Sequence, residues 1–159
     1  MRICENCGIP SDASFFDESN IVALRKPDPQ DPRKEVSILK PGEELVLASY
    51  QLHRNYCGML MSFAQFTDLA VGATPQFTTP GYQWQIRCNG HPRDPYLTFE
   101  HIINPWGYGG FPVQLRLEAG CLVELVIRYL GGDSLKQAGG RIIGRFWYNT
   151  AYGGVPNRL

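Results

Sequence analysis

Strict two-residue alternation constrains this chain more than any other feature. In YQWQIRC, Tyr82, Trp84, Ile86 and Cys88 fall on one side and Gln83, Gln85 and Arg87 on the other. VQLRL sets Val113, Leu115 and Leu117 against Gln114 and Arg116. CLVELVIRYL sets Cys121, Val123, Leu125, Ile127 and Tyr129 against Glu124 and Arg128. Successive side chains of a strand point to opposite faces, so each stretch reads as a strand with one dry face and one wet face. A sheet that is dry on one face buries it only against another layer.

Further stretches extend the series. VSILK and EELVLASYQLHR carry β-formers, and RIIGRFWYN closes the set with Gly144 at a bulge or a point of close packing. YLTFEHII reads as a strand, whereas CGMLMSFAQF fits a strand or a buried helical segment, since a short apolar run has no deciding period. PG, EAG and GGDSLKQAGG supply turns, in keeping with 17 glycines and 12 prolines. Seven or eight such strands without a strong amphipathic helix predict an all-β fold, an antiparallel sandwich or barrel. A chain of 159 residues is one domain by length.

The ends read differently. RKPDPQDPRKE places Pro27, Pro29 and Pro32 among mixed charges. Proline fixes φ and biases the preceding residue to extended backbone, so residues 1–35 are expected to form an extended N-terminal arm or linker. Within it, SNIVALR could be one strand or a strand added to a neighbour. Residues 36–150 are then the sandwich and 151–159 a flexible C-terminal tail.

Charge narrows the partners. Fifteen Lys and Arg balance fifteen Asp and Glu, so no basic field points to nucleic acid or anionic lipid. No apolar run is long enough to span a bilayer, and MRICENCGIPSDAS lacks the apolar core of a secretory signal. Five cysteines, an odd number with two close together, suit a chain made in a reducing cytoplasm.

Four candidate sites follow. Cys4 and Cys7 in CENCG have the spacing of half a structural zinc site, and CNGH offers Cys88 and His91 as the other half. The interval between the two pairs is far longer than in a compact zinc finger, and two exposed thiols with a core cysteine and a loop histidine explain the same residues. Cys57 and Cys121 sit inside apolar patterns as small core residues. His91, Asp94, Glu100 and His101 gather around a proline-rich turn, without any of the spacings that mark a metalloprotease, a hydrolase elbow or a phosphate loop, so no enzymatic activity is expected. NPWGYGGFP displays Trp106, Tyr108 and Phe111 on a glycine-rich loop, where rings can stack on a ligand, anchor an interface or fold back over the core. The arm around Pro27, Pro29 and Pro32 could add a strand to a neighbour's open sheet edge.

The run from YQWQIRCNG through NPWGYGGFPVQLRLEAGCLVELVIRYL to GGRIIGRFWYN resembles small jelly-roll-like virion accessory proteins of tailed bacteriophages. The shared pattern is an alternating strand, an aromatic loop, a P-V-x-L-x-L-x-A-G segment turning into a long strand, and a closing G-R-x-x-G strand. It covers residues 82–149. The resemblance implies an all-β, antiparallel two-sheet sandwich of jelly-roll type, and a non-enzymatic head-decorating or cementing subunit, or a tail or vertex adaptor. Such a subunit would be homo-oligomeric, reside in the virion and bind other virion proteins such as the major capsid protein through its arm and loops. CENCG is not a feature of that group, and L-x-A-G-x-x-V-E-L hairpins also occur in carbohydrate-binding modules, so a glycan- or receptor-recognising sandwich is the alternative expectation.

Overall fold

A computed structural model describes residues 9–10, 12–67, 82–92, 99–100, 111–131 and 136–149. Its strands in chain order are β1 (Ser14–Ala23), β2 (Arg25–Pro27), β3 (Glu35–Ser37), β4 (Glu44–Gln51), β5 (Tyr56–Thr67), β6 (Tyr82–Cys88), β7 (His91–Pro92), β8 (Phe99–Glu100), β9 (Phe111–Leu117), β10 (Leu122–Tyr129) and β11 (Gln137–Tyr148). There is no helix among the described residues.

Two antiparallel sheets carry the fold. One runs β1-β11-β5-β9; the other runs β4-β10-β6-β7, with β8 also pairing β6. With the β2–β3 ribbon set aside and β7 and β8 counted together, the strands pair in a nested way. The first pairs the eighth (β1 with β11), the second the seventh (β4 with β10), the third the sixth (β5 with β9) and the fourth the fifth (β6 with β7 and β8). A long hairpin folded over on itself gives this order, and it is the jelly-roll arrangement of two Greek keys.

The alternation in the sequence decides which faces meet. Tyr82, Trp84, Ile86 and Cys88 are buried while Gln83, Gln85 and Arg87 are only partly so. Val123, Leu125 and Ile127 are fully buried on β10, and Val113, Leu115 and Leu117 turn inward from β9. CGMLMSFAQF lies in β5, because β-pairing on both sides, with β11 and β9, leaves no room for a helix. Gly144 marks a register shift between β11 and β5. A Cβ there would overlap the Phe16 ring and the Met59 carbonyl, so the bulge exists only with glycine.

Residues 14–35 differ from the arm reading. β1 pairs β11 over its full length, from Ser14 opposite Phe146 to Ala23 opposite Gln137, and buries Phe16 in the core. The proline-rich stretch is a hairpin, not an extended linker. β2 pairs β3, with Pro27 opposite Glu35. Asp28 and Asp31 side chains accept hydrogen bonds from the backbone N–H groups of Gln30 (2.9 Å) and Arg33 (3.2 Å). These local turns compete successfully with the extended preference of the prolines. Leu24 and Leu39, both buried, fasten the ribbon to the sandwich.

Candidate functional site

Two surfaces concentrate chemistry, one on each sheet. On the outer face of the second sheet, Glu44 of β4 holds two guanidinium groups. Arg87 of β6 runs along the face past Gln85, donating from Nε to Gln85 Oε1 (2.6 Å), and grips both Glu44 oxygens from Nη1 (2.6 Å) and Nη2 (2.7 Å). Arg128, directly opposite Glu44 on β10, donates to Oε1 from Nε (3.0 Å) and Nη2 (2.5 Å). The Arg87 hydrogen bonds first, then those of Arg128, pull the Glu44 carboxyl from 4.5 down to about 2. The same contact raises the Arg87 guanidinium above its ordinary range. The carboxylate and the two guanidinium groups satisfy one another, so the cluster clamps β4, β10 and β6 together across their wet face.

On the first sheet, β1 forms an edge that nothing pairs on its outer side among the described residues. Its outer face carries Phe15, Asp17, Ser19 and Ile21. Phe15 and Ile21 are each 67% exposed, the largest exposures among the described large apolar side chains. Arg145 stacks its guanidinium 4.6 Å over the Phe15 ring and donates from Nη2 to the Ala13 carbonyl (3.1 Å). Arg141 forms a two-pronged pair with Asp17, from Nε to Oδ1 (2.8 Å) and from Nη2 to Oδ2 (2.6 Å). That hydrogen bonding holds the Asp17 carboxyl below its usual value. An open depression of about 600 Å³ lies here, lined by Asp17, Ser19, Asn20, Ile21 and Arg141.

A ring cluster closes one end of the sandwich. Phe16 stacks on Tyr50 (4.5 Å between centroids, 3° between planes), and Phe146 lies 5.8 Å from both Tyr50 and Tyr56. Tyr148 and the exposed His53 meet Tyr56 edge-on at 5.7 and 5.8 Å. The aromatic content of the last strand is therefore partly explained inside the chain: Phe146 packs on the core, while Trp147 and Tyr148 stay half-buried.

The residues singled out from sequence are scattered. Cys4, Cys7, Asp94, His101, Trp106 and Tyr108 lie outside the described residues. Phe111 begins β9, with its backbone opposite Phe63. Cys88 and His91 are register partners across an Asn89-Gly90 turn whose two residues have φ of 52° and 81°, the geometry of a tight hairpin. The Cys88 thiol is buried, whereas His91 is exposed. Among the described residues no three His, Cys, Asp or Glu groups converge on a common point. Cys57 and Cys121 are buried, and burial pushes the Cys57 thiol up. Pro27 sits in the ribbon, and Pro29 and Pro32 lie at its tip.

Sequence reasoning missed the β1 edge because residues 1–35 read as an arm. The available signal was SFFDESNIVA, a proline-free run with Phe15 and Phe16 near one end and Ile21 and Val22 near the other. Glu44 was not legible as the partner of Arg87, because the register sets Glu44 opposite Arg128 and Arg87 opposite Glu124, and Arg87 reaches Glu44 only by running along the face.

What the pairing order defines is an antiparallel jelly-roll sandwich with a short ribbon, in which β1 is the longest of the edge strands among the described residues, ahead of β4 and β9. No family model matches the chain, and neither a curated protein nor a solved structure matches it. Fold alone does not assign a role, since jelly rolls serve capsids, lectins and enzymes alike.

Proposed function

We propose that the chain is a non-enzymatic assembly subunit of a phage particle, a capsid decoration or cement protein that binds neighbouring subunits, the major capsid protein among them. The observation that carries the assembly part is the open β1 edge flanked by Phe15 and Ile21, each 67% exposed. A long unpaired edge is a template for another chain, and exposed apolar side chains beside it favour a partner over water. The particle setting rests on the sequence resemblance over residues 82–149. Native mass spectrometry of the full chain, before and after a chelator, tests this reading. A closed homo-oligomer without metal supports it; a monomer carrying one zinc overturns it and restores the Cys4, Cys7, Cys88, His91 site.

A glycan- or receptor-recognising module is the second reading. It is favoured by the half-buried rings of Tyr50, Tyr56 and Tyr148 beside the exposed His53. It predicts that Trp106→Ala or Tyr108→Ala weakens glycan binding, by about 1 kcal/mol per stacked ring, at unchanged oligomeric state. A glycan array without binding to the wild-type chain removes it.

A further inference from the structure

We infer that the open edge of β1 is the interface with a second copy of this chain, the two β1 strands pairing antiparallel about a two-fold axis at Ser19. Self-pairing about a two-fold axis makes the sum of partner residue numbers constant. It must also be even, so that the outer faces of both sheets stay on the same side. Three registers are then worth comparing. Centring on Glu18 puts Phe15 opposite Ile21 but sets the two Glu18 carboxylates directly against each other, which is destabilising. Centring on Asn20 leaves Phe15 opposite Arg25, beyond the end of β1. Centring on Ser19 pairs residues 15–23 throughout.

That third register is self-complementary. Glu18 faces Asn20, an amide that can donate to it; Phe16 faces Val22, and Ser19 faces Ser19. On the outer face, Phe15 lies opposite Ala23 and diagonal to Ile21 of the other copy, within reach of an aromatic ring. The two most exposed of the described large apolar side chains of each copy are thereby covered. Asp17 faces Ile21 and keeps its own Arg141, so that carboxylate enters the joint sheet already paired. β1 has no register shift against β11 and contains neither proline nor lysine, the usual devices that blunt an edge. The product would be an eight-stranded sheet, β9-β5-β11-β1 continued through its copy.

This inference rests on the assembly reading, and the two fail differently. Sedimentation equilibrium of the full chain is run across the micromolar range beside Ser19→Lys, which sets two lysines against each other at the axis. Circular dichroism checks that the variant keeps its fold. The expected result is a wild-type dimer whose dissociation constant rises about tenfold or more in the variant. In parallel, Ser19→Cys is oxidised gently and digested, and the cross-linked peptide is identified by mass spectrometry. A disulfide joining the two copies at position 19 is expected. Ala23→Cys is expected to give no such link, because the register holds position 23 far from its mate. A wild-type oligomer unmoved by Ser19→Lys, with no link at position 19 in Ser19→Cys, overturns the edge while leaving the assembly reading in place. A wild-type monomer throughout, including one that pairs its edge only with another protein, overturns the self-pairing and removes the homo-oligomer from the assembly reading.

Discussion

Glu44→Gln is the perturbation whose size and pH dependence the structure fixes best. The carboxylate holds Arg87 and Arg128 on the outer face of the second sheet and titrates at about 2 in place of 4.5. Taken at face value that drop corresponds to about 3 kcal/mol. The Glu44 and Arg128 side chains keep 29% and 44% exposure, and solvent screening reduces the contribution to about 1 kcal/mol. The folded value lies below the unfolded one, so the contribution is complete above pH 4.5 and is lost as pH falls from 4.5 towards 2. Urea denaturation at a series of pH values measures it. The wild-type chain is expected to exceed Glu44→Gln by about 1 kcal/mol at neutral pH, with the gap closing through the acid range. Equal stabilities at neutral pH, or a gap that persists down to pH 2, would refute the assignment of Glu44 as an ionised clamp.

Gly144→Ala is expected to destabilise by about 3 kcal/mol, at the upper end for overpacking, because the Met59 carbonyl cannot move aside; a melting temperature within a degree of wild type would contradict the bulge. Gln65 is fully buried on β5, and among the described residues neither its Nε2 nor its Oε1 has a hydrogen-bond partner. Gln65→Met should therefore raise stability by about 1–3 kcal/mol in urea melts, and a loss would point to a bridging water. Deleting residues 1–35 removes β1 and the buried Phe16, and is expected to abolish the cooperative thermal transition. Cutting only residues 28–34 and closing the ribbon through a short glycine turn should keep it.

The inward and outward face of every long alternating strand was readable from residue type. Trp84 and Ile86 point in and Arg87 points out because a sandwich offers only those two environments. The tight turn at Asn89-Gly90 was equally legible, since few other dipeptides tolerate two positive φ angles. Residues 14–35 read as an arm for a physical reason. Three prolines dominate local propensity, and nothing local announces that Phe16 fills a gap beside Gly144, more than a hundred positions away. The sequence thus determines that this chain forms strands, which side of each is dry, and that its charges balance without a basic field. Only the tertiary structure decides that the strands nest first with last, that Glu44 gathers Arg87 and Arg128, and that β1 ends as an open edge. Those depend on register between distant segments, where alternation repeats every two residues and cannot by itself select one partner over another.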